Sequence, residues 1–392
     1  MSTLKVDAIR HNSATSDAIT TAADGTCTAK LTGMTGGGTF TNRNKIINGD
    51  FTIHQRGGTI TAGSGVYTID RWRSYRTGDS SGGYTVQQST SSYPQTNIAG
   101  VIDNFKASAL ITVTSAGSAA ANNNCKFQQR IEGSHVYDLA FGTAVAKKVT
   151  VSFYVKCSLT GNFGISLVNG GHNRSNVQLY TVNSADTWER KIVTFDGDTS
   201  GTWATNTGTG LQLMFDMGSG SSKHAGSTNT WLSGEYHGTT SSVKLIHTNG
   251  ATIQFTGVQL EEGSVATSFE FRNYADELLR CYRYYYRLKG EDNKTYMIGM
   301  SDNDNVNIYG FFHFPIEMRA APTSIEQNGT AGHYKVRRDT TKSCTAVPSF
   351  VDAFPFYCRV NFPSSGHGWG TGQILWCQGG SSSSYLGFSA EL

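Results

Sequence analysis

The sequence predicts an all-β protein. A β-sandwich spans 44–272, one linking α-helix spans 273–290, and a second, smaller C-terminal β-sandwich spans 291–392, all behind an extended segment, 1–43. Three observations predict this. The first is composition: 45 glycines against 6 prolines, with only 16% charged residues, favour short strands joined by tight polar turns, because glycine and asparagine tolerate positive φ. The second is a period-two alternation of apolar residues, repeated along most of the chain. The third is a single stretch with helical spacing, at 273–290. Aromatics at 11% supply bulk for sandwich cores, and 392 residues suffice for two or three domains.

Taken in order, the opening segment carries Leu4, Val6 and Ile9, which mark a short strand, then a run with four glycines, Gly33, Gly36, Gly37 and Gly38. It has too few apolar residues to bury a core, so it is expected to gain order against a partner. Segments 44–51 and 258–272 read as the first and last strands of one sandwich. Between them Val149, Val151, Phe153 and Val155 alternate, as do Phe163, Ile165 and Leu167, and Leu211, Leu213, Phe215 and Met217. Ile253 and Phe255 run to Gly257, where the phase shifts to Val258 and Leu260; a β-bulge at the glycine explains the shift. In the helix Asn273 is the N-cap, with Asp276 and Glu277 at the positive dipole end. Tyr274, Leu278, Tyr282 and Tyr286 form one stripe, a seam for packing between domains or between copies. Strands at 307–314, 334–337, 356–362, 373–377 and 385–390 make the second sandwich. No repeat of 20 to 50 residues argues for a propeller or solenoid.

Composition also excludes function classes. Net charge is +3, and the basic residues, densest at Arg71, Arg73 and Arg76 and at Lys335, Arg337 and Arg338, are not interleaved with a nucleic-acid module, so no nucleic-acid partner is expected. Seven cysteines without a CxxC exclude a zinc ribbon and a disulfide scaffold and are expected to be reduced. No run of 18 apolar residues predicts a membrane span, and residues 1–21 lack the apolar core of a signal peptide.

Motifs for chemistry are sparse, and no enzyme is expected. His54, Asp70 and the Ser/Gly loop at 78–83 resemble a serine-protease arrangement, but the spacing is too short for it. The run 196–201 matches the start of an EF-hand loop, yet Thr207 stands where a bidentate glutamate is required. Ten histidines show no HxxxH or HxH spacing. Glu261 and Glu262 are neighbours, which on a strand point to opposite faces and cannot flank one glycosidic bond.

The blocks at 44–51, 54–57 and 67–72 resemble the opening of a bacteriophage tail-fibre or minor structural protein family. The blocks at 127–133, 149–156, 258–263, 266–270, 277–285, 314–322 and 385–392 resemble it in the same order, and Thr3–Asp7 is similar to the starts of fibre proteins from marine and cyanobacterial phages. This resemblance implies a jelly-roll sandwich akin to carbohydrate-binding modules, usually trimeric, without catalytic residues. It implies a virion protein of tail-fibre type, assembled in the host cytoplasm, docked on tail or capsid through 1–43 and attached to a host-surface glycan. A purely architectural virion protein (head fibre, adaptor or decoration) and a capsular depolymerase are the alternatives. In such sandwiches a structural calcium ties first strand to last, which points to Asp50 and Glu261; no other cofactor is implied. For sugar stacking the candidates are Trp203, Trp231, Tyr236 and Trp369, in Gly/Ser/Thr-rich stretches. Trp72 and Trp376, in strand-like contexts, are expected in the core.

Overall fold

Alternating apolar side chains bring two antiparallel sheets face to face in a jelly-roll sandwich. The computed structural model describes residues 42–78, 82–94, 104–118, 120–302 and 304–392, together with the short strands Ala8–Ile9, Ile19–Thr21 and Cys27–Ala29. Those three pair as a small antiparallel sheet; Leu4, Val6 and the glycine run lie outside the described residues.

The first sandwich pairs a six-stranded with a seven-stranded sheet. In the six-stranded sheet, strands Val149–Cys157, Thr252–Glu262 and Ser108–Ser115 are adjacent. In the seven-stranded sheet the central order is Arg174–Val182, Gly161–Asn169, Thr209–Asp216, Asn124–Glu132 and Trp72–Thr77. Val149, Val151, Phe153 and Val155 face Phe163, Ile165, Leu167, Leu211, Leu213 and Phe215 across a core in which all are fully buried. Trp72 stacks on Phe127 at 5.0 Å between ring centroids, and Phe215 sits 4.4 Å from Phe255. Aromatic pairs at these separations add about 0.5–1.5 kcal/mol each beyond area burial. The bulge falls at Gly257, whose φ is +61° and where the pairing with Val149–Cys157 slips. A side chain at that glycine would collide with the Phe105 ring.

Residues 44–51 correct the expected first strand. They lie beside the last strand, with the Lys45 N–H donating to the Leu260 carbonyl and the Val258 N–H to that of Gly49. They are nevertheless irregular: Asn48 and Phe51 have positive φ. Side chains hold them instead. The Asn48 amide donates to the Ile53 and Asp70 carbonyls and accepts from the Ile53 N–H, and the Gln129 amide brackets the backbone of Ile47.

The helix is also corrected. It runs only over Tyr274–Tyr282, capped by Asn273, and the chain then forms the strand Tyr285–Lys289, paired with Tyr385–Ser389. The expected stripe therefore splits. Tyr274 is exposed, Leu278 packs on a small cluster with Ile47, Ile53, Cys281 and Tyr284, and Tyr282 meets Tyr286 at 4.7 Å. Tyr286 belongs to the second sandwich and stacks on Phe312.

That second sandwich packs a three-stranded sheet on a seven-stranded one, with Tyr334, Cys358, Val360, Leu375, Cys377, Leu386 and Phe388 buried between them. A buried polar joint locks it to the first. The Arg71 guanidinium pairs with Glu391 and lies 3.5 Å from the Tyr284 ring centre; Arg56 lies 3.6 Å from the Tyr285 ring centre. Glu132, fully buried, accepts from Arg283 at 2.7 and 3.0 Å and from the Tyr284 hydroxyl at 2.8 Å. Cys125, Cys157, Cys281, Cys344, Cys358 and Cys377 are buried and free. Among the described residues no helix is long and apolar enough to cross a membrane.

Candidate functional site

The outer face of the first sandwich's seven-stranded sheet is polar, and its strands explain why. Along Asn124–Glu132, Cys125, Phe127 and Ile131 turn to the core while Lys126, Gln128 and Arg130 point outward. Register extends these into rows. Arg73 stands opposite Gln128, Gln128 opposite Met214 and Met214 opposite Ser166. On one side lies the row Tyr75, Lys126, Asp216; on the other, Arg130 stands opposite Gln212.

Gln128 is fully buried, yet neither its amide oxygen nor its amide nitrogen has a hydrogen-bond partner among the described residues. The Ser166 hydroxyl and the Arg73 Nε and Nη1 in the same row are likewise unpartnered. Each such buried group costs about 1–3 kcal/mol when unmet, so the row calls for a polar partner, ordered water included. The half-buried Tyr75 and Arg73 and the buried Lys126 frame the row. Arg73 lies 5.4 Å and the Lys126 ammonium 5.0 Å from the Tyr75 ring centre.

One carboxylate organises the remaining charge. Chain 234–238 folds over this face: the Ser175 hydroxyl donates to the Gly234 carbonyl, and a side chain at Gly164 would strike the His237 carbonyl. This brings Glu235 to Lys126, to Lys223 at 2.7 Å, to His172 at 3.0 Å and to His237 at 3.3 Å. Burial alone would raise its pKa, but hydrogen bonds from the two histidines and the charge of Lys126 hold it far below the usual carboxylate range. Burial lowers Lys126 to about 8, although Glu235 opposes that shift. Burial and the Lys126 charge lower His237 to about 4, leaving it neutral at pH 7. The result is a face of amide, hydroxyl, guanidinium and tyrosine groups, chemistry that fits a ligand rich in hydroxyls.

The expected sugar platforms land elsewhere. Trp203 and Trp231 do come together, with Phe141, but edge to face at 5.3 Å, and their indole N–H groups donate to the Ser200 and Asp196 carbonyls. They pack against one end of the core and stay partly exposed. Tyr236 is half-buried on the folded-over segment, packed against Gly234. Trp369 is buried, stacks on His367 and donates to Asp339 at 2.9 Å. Trp72 is in the core, but Trp376 is 48% exposed, against expectation.

Asp50 and Glu261 have separate partners. Glu261 accepts from the Thr267 N–H and hydroxyl and from the Gln259 amide, and Asp50 accepts from the Thr52 hydroxyl. Among the described residues no cluster of three His, Cys, Asp or Glu is placed to hold a metal. The 196–201 loop uses Asp198 for a two-pronged pair with Arg174 at 2.6 and 2.8 Å. Asp70 bonds Gln55, not His54, whose Nε2 is 3.1 Å from the Gly58 carbonyl; residues 79–81 lie outside the described residues. Asp50 instead lines a cleft of about 240 Å³ with Phe269, Phe271, Tyr274 and Glu277. Burial, and then the charge of Glu277, raise its pKa.

No protein-family model matches the chain, and no curated protein matches it. Among solved structures it is similar to the enzymatically active domain of bacteriophage CBA120 tailspike protein 4, at 11% identity and a TM-score of 0.28, over 56% of this chain and 22% of that one. It is similar to TmCBM61, solved with beta-1,4-galactotriose, at 10% identity and a TM-score of 0.29, over 56% of this chain and 99% of that one. The family 11 carbohydrate-binding module from Clostridium thermocellum gives 10% identity and a TM-score of 0.26, over 54% of this chain and 99% of that one. At TM-scores of 0.29 or less these likenesses do not bear on this chain's ligand.

Proposed function

We propose that the chain is a virion protein of tail-fibre type that attaches to a host-surface glycan through the outer face of the seven-stranded sheet in its first sandwich. The observation that carries this reading is the row Arg73, Gln128 and Ser166, buried or half-buried, with unpartnered hydrogen-bonding groups. Sugar hydroxyls donate and accept at once, so they satisfy an amide, a hydroxyl and a guanidinium together, while the Tyr75 ring, with Arg73 and Lys126 over it, holds those cations beside the row. The virion role is supported by the ordered sequence blocks that resemble phage tail-fibre proteins. Binding of the purified chain to host-surface polysaccharide tests the reading. Arg73→Ala and Tyr75→Ala are each expected to weaken binding by ~10-fold or more. Wild-type affinity in both variants would rule this face out.

A further inference from the structure

We propose that the outer face of the seven-stranded C-terminal sheet is where a second copy of this chain docks. Two rows of side chains build that face. In one, Arg337 stands opposite Trp376 and Trp376 opposite Ile298, with Phe311 opposite Arg359 farther along the sheet. In the other, Ile374 stands opposite Met300, Met300 opposite Tyr309 and Tyr309 opposite Asn361. Ile298, Met300, Phe311, Ile374 and Trp376 are each between 45% and 69% exposed. Their strand neighbours Met297, Leu375 and Cys377 are buried on the inner face.

A lone exposed apolar side chain is ordinary, but five adjacent ones present on the order of 500 Å² of apolar surface, near the upper end for a monomer. The inner face of this sheet is already covered by the three-stranded sheet. The outer face thus has the character of a second inner face with no layer upon it among the described residues. Sheets with apolar faces pack on one another about 10 Å apart, and this face is matched by itself in another copy.

The chemistry favours a protein over a sugar. Ile298, Ile374 and Met300 surround Trp376 and offer neither hydrogen bonds nor ring faces. Of the two arginines on the face, Arg359 is met by Asp352 at 2.7 Å, and Arg337 stands beside Trp376 near the sheet edge. With Tyr309, Arg337 and Arg359 added, the face approaches the roughly 800 Å² per partner that stable protein pairs bury. A face matched by itself closes as a two-fold pair.

Sedimentation velocity of the full chain at micromolar concentrations tests this. Wild type is expected to run as a multiple of the chain mass. Ile298→Asp and, separately, Ile374→Asp are expected to weaken association by ~10-fold or more, with an unchanged far-UV circular dichroism spectrum, because both side chains are exposed in the single chain. A monomeric wild type overturns the proposal, as does an oligomer that keeps its mass in both variants. Loss of the oligomer only on removal of residues 1–41 would assign association to that segment instead. Loss of polysaccharide binding in Trp376→Ala, with the chain monomeric throughout, would make the face a sugar platform and likewise overturn it. Per-chain glycan affinity of Ile298→Asp reports the first sandwich separately, so failure here leaves the attachment reading standing or falling on its own result.

Discussion

The two sandwiches treat the outer faces of their larger sheets in opposite ways. In the first, strand Asn124–Glu132 alternates apolar with polar residues, and the outward set, Lys126, Gln128 and Arg130, is partly roofed by the segment bearing Glu235 and His237. In the second, strand Ile374–Gly379 opens with the apolar run Ile374, Leu375, Trp376, Cys377, and nothing among the described residues roofs its outward members. A polar outer face whose hydrogen-bonding groups lack partners belongs to a polar ligand. An apolar outer face belongs to another protein surface. On the proposed readings the same architecture carries two different interactions, and the joint at Arg71, Glu391, Glu132 and Arg283 ties the two sandwiches together.

The comparison breaks most severely if the joint is opened. Arg71→Ala leaves the buried Glu391 with only Arg56, 3.8 Å away, as its cationic partner, so it is expected to cost about 3 kcal/mol in chemical unfolding. A loss below about 1 kcal/mol would mean that the two sandwiches are held by other contacts. The next effect is acid. Burial raises the Glu132 carboxyl, but hydrogen bonds from Arg283, Ser134 and Tyr284 outweigh it and bring it to about 2, from an ordinary 4.5. Because the folded value is depressed, its contribution is complete above pH 4.5 and is lost as pH falls towards 2. It amounts to about 3 kcal/mol. Unfolding followed from pH 5 to pH 2 should fall steeply in wild type and more gently in Glu132→Gln. A smaller effect separates the tryptophans. Trp231→Ala, at the end of the core, is expected to lower stability by about 2–3 kcal/mol because the side chain is only partly buried, whereas Trp376→Ser should leave the melting of the single chain within about 0.5 kcal/mol.

Much of this fold is legible in the sequence where neighbouring residues decide it. Val149, Val151, Phe153 and Val155 alternate because one face of their strand is core, and Gly257 marks its bulge because only positive φ fits there. The polar outer face was also present as the alternation Lys126, Gln128, Arg130 against Cys125, Phe127, Ile131, a signal easily passed over because Gln129 interrupts the apolar set. Distant residues decide what remained hidden. Tyr285–Lys289 continues the helical tyrosine spacing, yet it becomes a strand because Tyr385–Ser389 supplies the hydrogen bonds. Residues 44–51 look strand-like, but the Gln129 amide and Asn48's own bonds set their path. Trp376 sits in an apolar run without alternation, and only the sheet's packing shows which of its two faces is covered. Trp203, Trp231 and Trp369 stand in polar stretches because they are caps over loops, which composition alone does not distinguish from exposed platforms.

The attachment face has one sharp test: the affinity of Gln128→Leu for host-surface polysaccharide, beside its melting temperature. Leucine removes two unpartnered buried amide atoms at similar volume, so stability should hold or rise while binding falls by ~10-fold or more. Unchanged binding in Gln128→Leu would contradict the account.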